Sequence, residues 1–155
     1  MTGQGVVETI HIAPEATAAM IERESVEAVA GSGLKGDRYF NGNGTFSAAS
    51  DTGRELTLTE AEAIEAIKRE QGISIGFNQH RRNITTRGIA LNHLVGETFQ
   101  IGAVRCQGIN LCEPCDHLER LTVEGINDAL THRGGLRANI LEGGTIRAGD
   151  RVEQR

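Results

Sequence analysis

Aromatic side chains are nearly missing from this 155-residue sequence: four Phe, one Tyr and no Trp, 3% of the chain. A surface that stacks on nucleic-acid bases needs more of them. Positive charge is short as well. The net charge of −5 is wrong for a general polyanion binder, so no nucleic-acid partner is expected. No apolar run approaches the roughly 20 residues of a membrane helix, so no membrane partner is expected either. The first residues hold no basic region and no apolar stretch, which predicts no secretory leader. Three cysteines is an odd number, which excludes a full disulfide framework and points to free thiols in a reducing cytoplasm. Proline occurs only at Pro14 and Pro114.

Glycine, by contrast, is plentiful, with 20 residues spread along the chain. That suits many short strands joined by tight turns better than a helical bundle. The hydrophobic fraction of 38% and the length are enough for one domain over residues 1–155.

Residues 5–12 are β-branched and loosely alternating, a first strand. Residues 13–24 have the composition of a helix. Residues 25–30 alternate with period two and read as a strand. Residues 31–44 are a glycine-rich loop carrying a charged patch at 34–39, which is either a solvated loop or part of a site. Residues 54–58 form a short strand. Thr59-Glu-Ala-Glu62 then fits a capping box and opens a helix with Ala63, Ile64 and Ile67 on one face. Glu65 and Arg69 are spaced to pair along it, and Gly72 is its stop. Three arginines, Arg81, Arg82 and Arg87, fall within residues 79–88. Asn83 and Thr85 would share one face of a strand there, opposite Ile84. The arginines suit phosphate or carboxylate, or else form a basic surface strand. Residues 98–101 and 103–109 read as a hairpin, with Cys106 as a buried filler. Residues 122–132 look helical, with Val123, Ile126 and Leu130 at helical spacing. Residues 135–143 and 151–153 are closing strands. Short antiparallel strands must hide their edges. The expected fold is therefore mainly β with peripheral helices (α+β), a closed or nearly closed β-barrel.

The densest chemistry lies in residues 110–119, which hold Cys112, Glu113, Pro114 and Cys115. Pro114 suits the first turn of a helix. Leu118 and Leu121 would face the core. Cys115 would sit in that first turn, where free N–H groups and the helix dipole favour a thiolate, while Asp116 opposes it. Two readings stand: an accessible thiol at Cys115, or two inert small hydrophobes in a turn. Zinc is disfavoured. Cys106, Cys112, Cys115 and His117 lack a second ligand pair at finger-like spacing. A thiol-oxidoreductase reading of the C-x-P-C run is disfavoured as well. It lies late in a β-rich chain, with no proline after Pro114.

Taken in order, these segments resemble the MOSC domain family, named for the C-terminal domain of molybdenum-cofactor sulfurase. Gly31-Ser-Gly-Leu-Lys-Gly-Asp-Arg38, within residues 28–39, resembles the family's GxGLxGDR segment. Arg82, Asn83, Ile84, Thr85, Gly88 and Leu91 are similar to its second motif. Gly96, Phe99, Ile101 and Gly102 match its hairpin. Glu113-Pro114-Cys115 with Leu118 resembles its PCxxL signature. Arg133 to Arg137 and Gly149-Asp150 resemble its closing pattern.

The resemblance implies a MOSC-type β-barrel with a pocket for a molybdopterin-type molybdenum cofactor. It implies that Cys115 carries sulfur as a persulfide or ligates molybdenum. Cys112 is an additional thiol, either resolving a persulfide or merely adjacent. The cofactor is an anion, and Arg81, Arg82, Arg87, Arg133 and Arg137 are suited to neutralise it. Asp37, Arg38, Asn83 and Thr85 are expected to line the pocket. The domain is expected to stand alone, without a desulfurase, N-terminal barrel or ferredoxin-like domain. Partners are therefore expected to be a sulfur donor such as a cysteine desulfurase, or an electron-supplying reductase. The expected activities are sulfur carriage or cofactor binding. A molybdenum-dependent reductase of N-hydroxylated compounds and a non-catalytic binding module are the alternatives.

Overall fold

Alternating and β-branched segments become strands where their apolar face finds a common interior. The computed structural model describes residues 4–42 and 53–154. Its first elements are β1 (Gln4–Ile12), β2 (Ile21–Arg23), β3 (Ser25–Val29), β4 (Gly33–Leu34) and β5 (Leu56–Glu60). Helix α1 (Ala61–Gln71), β6 (Ile84–Arg87), a 3-10 turn at Leu91–Leu94, β7 (Thr98–Ile101) and β8 (Val104–Leu111) follow. Last come α2 (Asp116–Leu121), α3 (Ile126–Ala129), β9 (Leu136–Glu142), β10 (Gly144–Arg147) and β11 (Arg151–Gln154).

Seven of these strands close into a barrel in the order β1-β11-β7-β8-β9-β5-β6 and back to β1. Every neighbour in the ring is antiparallel except β5 and β6. A parallel pair cannot be joined by a hairpin, and here α1 makes the crossover on the outside of the barrel. Strand β2 hangs on β1, and β10, β3 and β4 form a separate small sheet. The interior is apolar. Ile10, Ile84, Leu58 and Leu136 stand on successive strands and are fully buried. Phe99 is the bulkiest side chain in the core and pairs across the hairpin with Cys106. A second apolar cluster joins Ile64 and Ile67 of α1 to Leu118, Ile126 and Leu130, under α2 and α3. The protein is thus mainly β with few helices, as expected. Among the described residues no helix is long and apolar enough to cross a membrane.

Local expectations fail where tertiary contacts override propensity. Residues 13–24 are not a helix but a strap ending in β2. The Ala13 N–H donates to the Asp37 carboxylate at 3.1 Å, and the Ala18 carbonyl accepts from Arg81. Helix α1 starts at Ala61 with Glu60 as N-cap, and no side chain caps it. Thr59 belongs instead to β5, opposite Thr85. Glu62, the carboxylate expected in that cap, instead accepts from the Gly88 N–H after β6, and the neighbouring Glu60 accepts from the Leu91 N–H. Glu65 pairs with Arg87 rather than Arg69. The helix does stop at Gly72, where the Ile73 N–H returns to the Ile67 carbonyl. The helix expected over residues 122–132 shrinks to α3. Gly125 lies at φ 91°, a left-handed conformation that breaks it. Leu121 ends α2 and is 38% exposed, while Leu118 is buried. Of the loop predicted over 31–44, β4 pairs with β3, and residues 43 and 44 lie outside the described residues.

Candidate functional site

Strand β8 ends at Leu111, and the chain then turns through Cys112-Glu-Pro-Cys115 into α2. Pro114, expected in the first turn, lies two residues before the helix begins at Asp116. Cys115 is itself the N-cap, in extended conformation, and its carbonyl accepts from the Glu119 N–H at 3.1 Å. Its side chain is half-buried, packed against the second apolar cluster. It also lines a cavity of about 430 Å³, within the usual size range of small-molecule sites.

Cys112, Arg38, Arg81, Arg82 and Arg137 line the same cavity. The barrel wall and the strap bring them there. Arg38 follows Asp37, a carboxylate buried to 1% exposure that accepts from the Ala13 N–H, Arg38 Nη1 and Asn83 Nδ2. Arg38 Nη2 donates to the Arg81 carbonyl at 3.1 Å, and its guanidinium lies 4.9 Å from the centre of the Tyr39 ring. Arg81 takes a left-handed backbone, φ 68°. Arg137 comes from β9, with Nε donating to Asn110 on the adjacent strand at 2.7 Å.

Arg82 is different. It is 6% exposed, and its Nε, Nη1 and Nη2 donate to the carbonyls of Gly134, His80 and Cys112 at 2.8, 3.0 and 2.7 Å. The stretch expected as a possible basic surface strand is therefore interior here. Asn83 and Thr85 are also buried, behind the cavity rather than on its lining. Asn83 ties Thr57, His11 and Asp37 together through its amide. Thr85 meets Nε2 of the fully buried His80 at 2.8 Å.

Two of the expected arginines stand elsewhere. Arg87 pairs with Glu8 and Glu65 on the outer face, and Arg133 with Glu70 of α1. Outside residues 110–119, sequence reasoning missed three lining residues: Tyr39, Arg54 and Thr57. Tyr39 adjoins the Gly31–Arg38 run and was within reach of that pattern. Arg54 and Thr57 carry no signal beyond strand propensity. His117 was weighed only as a metal ligand and lines the cavity as well. Among the described residues no three His, Cys, Asp or Glu side chains are grouped to hold a metal ion.

The electrostatics favour an anion. Arg81 titrates below an ordinary arginine, first because it is buried and then because Arg38 is beside it. His117 is lowered by burial, then by Arg120, Arg81 and Arg38, so it is a neutral imidazole at neutral pH. One carboxylate, Glu113, reaches the lining, and His132 binds both its oxygens. Cationic forks around a thiol suit a ligand carrying phosphate or carboxylate, and the donor set fits a molybdopterin-type cofactor on that ground. Cys106 offers a contrast in the same barrel. Burial, then Glu55, pushes its thiol up to about 12, so it stays protonated and unreactive.

Solved structures share this fold. The YuaD protein from Bacillus subtilis superposes with a TM-score of 0.80 at 14% identity, covering 99% of this chain and 98% of that one. YiiM from Geobacillus stearothermophilus gives 0.74 at 13% identity, covering 97% and 75%. YiiM from Escherichia coli gives 0.67 at 18% identity, covering 100% and 70%. A search of curated proteins gives no sequence match. A scan against protein-family models matches the MOSC domain over residues 48–153. With more than half of its length matched, the chain belongs to the MOSC domain family.

Proposed function

We propose that this protein carries sulfur on Cys115 and uses the arginines of its cavity to hold an anionic donor or acceptor. The observation that supports this reading is the shared cavity of Cys115, Arg38, Arg81 and Arg137. In the loading step the Cys115 sulfur attacks the outer sulfur of a donor persulfide. A new S–S bond forms on Cys115, the donor's S–S bond breaks, and the donor leaves as a thiol with the proton Cys115 gives up. No net oxidant is needed. Neutral His117, on the same lining, is suited to relay that proton from Cys115 to the leaving thiol. Cys112 is suited to discharge the persulfide: its thiol attacks the inner sulfur, a Cys112–Cys115 disulfide forms, and hydrogen sulfide leaves. A cysteine desulfurase is the class of donor that meets this need.

The test is incubation with a small persulfide donor followed by peptide mass spectrometry. With the resolving thiol removed in Cys112→Ser, one added sulfur atom on Cys115 is expected, absent when Cys115→Ser is added and retained when Cys106→Ser is added. Sulfur that fails to appear on Cys115 removes the carrier reading.

The cationic lining also favours a second reading, in which the cavity holds a molybdenum cofactor. When bound, that group supplies atom transfer at the metal, as a reductase of N-hydroxylated compounds requires. Arg38, Arg81 and Arg137 would hold its anionic groups, and Cys115 would stand beside it as ligand. Electrons would then come from a separate reductase. Native mass spectrometry of protein made in a cofactor-producing host separates the two readings. A molybdenum-bearing mass supports the second, and a bare or sulfur-bearing mass counts against it.

A further inference from the structure

The loop that carries Cys115 is gripped from two sides by residues outside the reacting pair. From inside, Arg82 Nη2 donates to the Cys112 carbonyl and Nε to the Gly134 carbonyl. Arg82 is itself fixed. Its backbone N–H donates to His80 Nδ1 at 3.0 Å, which leaves Nε2 as the protonated ring nitrogen, donating to Thr85. The Cys112 N–H donates to the Gly135 carbonyl at 2.8 Å, so this loop and residues 134–135 run in close contact. The contact leaves no room. A Cβ at Gly134 would stand 2.6 Å from the Cys112 carbonyl and 3.0 Å from Pro114.

From outside, His132 takes the Glu113 carboxylate with both its backbone N–H and its ring Nδ1, each at 2.7 Å. An ionised carboxylate only accepts, so Nδ1 carries the proton. His132 holds a left-handed backbone, φ 65°, rare for a residue with a side chain. That conformation is secured on both flanks. Asn92 donates to the His132 carbonyl at 2.8 Å, and the neighbouring Arg133 is tied to the Ala129 carbonyl and to Glu70. Arg133, which takes no part in the cavity, thus anchors the outer half of this arrangement to α1.

We infer that Arg82 and the His132–Glu113 pair form a two-sided clamp that sets the 112–115 loop and aims Cys115 into the cavity. They are positioning residues, and the inference rests on the reading of Cys115 as the reacting thiol. Arg82 is accordingly a buried cross-link rather than one of the anion-binding arginines.

His132→Ala is the cleanest probe, because the His132 side chain is 79% exposed and lies outside the cavity. Arg82→Lys and Glu113→Gln accompany it. Two rates are measured on each folded protein: alkylation of Cys115 by iodoacetamide, and sulfur uptake by Cys115 from a small persulfide. Cys106 is the internal gauge, since it is alkylated only if the barrel opens. A released loop exposes Cys115 more and aims it less. Alkylation should therefore rise severalfold in His132→Ala while sulfur uptake falls roughly tenfold, the scale expected for loss of alignment. Glu113→Gln keeps one acceptor for the His132 N–H and should fall between. A purely structural role predicts a lower melting temperature with both rates unchanged in the folded protein, and that result overturns the clamp. If Arg82→Lys fails to fold, Cys106 becomes alkylated and His132→Ala alone decides. If wild-type Cys115 takes up no sulfur, the carrier reading fails, while the alkylation rates still judge the clamp.

Discussion

Arg82 and Arg87 lie five residues apart, before and at the end of β6, and do opposite jobs with one guanidinium each. Arg87 faces outward and is held by carboxylates: Glu65 takes Nη1 and Nη2 at 3.1 and 2.7 Å, and Glu8 takes Nε at 3.3 Å. Those bonds, to Glu65 first and Glu8 second, raise its pKa above that of a free arginine. Its side chain is 38% exposed, so water and salt screen the gain. Arg82 has no carboxylate in its bonds at all. It holds carbonyls of three separate segments in a buried site. The more conspicuous ion pair matters less, because its groups are satisfied by water when the pair is broken. The carbonyls around Arg82 have no such substitute.

The comparison breaks most sharply in Arg82→Met. Two buried carbonyls and the half-buried carbonyl of Cys112 lose their donor, at about 1–3 kcal/mol for each buried one left unsatisfied. Urea unfolding should show a loss of at least about 2 kcal/mol, and a loss below about 1 kcal/mol would contradict the assignment. A pH series follows in size. Burial, and then Arg82, hold His80 well below its ordinary value of 6.5. Above that pH both states are neutral and nothing is lost. Below it the unfolded chain takes up a proton that the folded chain refuses, so stability falls as the pH drops toward the folded-state value. His80→Gln should flatten that slope in unfolding curves at stepped pH. Arg137→Ala comes third: binding of an anionic ligand, read by calorimetry, should weaken about tenfold with unfolding nearly unchanged. Smallest is Arg87→Ala. It should cost less than about 1 kcal/mol at low salt and less again at high salt, by the same unfolding assay.

The barrel was legible because its strands announce themselves by period-two patterning and its hairpin by spacing. Phe99 and Cys106 fell where the pattern put them. Cys115 stood out by its motif, and the structure puts it on the cavity lining. What escaped was whatever depends on the neighbours a segment meets. Residues 13–24 favour helix in isolation, yet Asp37 and Arg81 take their backbone groups. Thr59 and Glu62 fit a capping box on paper, but the parallel β5–β6 pairing keeps Thr59 in the strand. The arginines were counted as one cluster because sequence does not say which way a guanidinium points. The structure divides them into cavity lining, buried cross-link and surface pair. His132 gave no signal, since its role lies in a carboxylate 19 residues away.

The ring of strands has a keystone. Strand β11 sits between β1 and β7, pairing Val152 with Gly5 on one side and with Ile101 on the other. During synthesis, every other barrel strand leaves the ribosome before it. Until residues 151–154 emerge, β1 and β7 each present an open hydrogen-bonding edge that can recruit another chain. The Gln4–Glu153 contact spans nearly the whole sequence, so its closure is entropically late even in the released chain. Loss of these four residues should therefore show itself less as a softened protein than as an aggregating one.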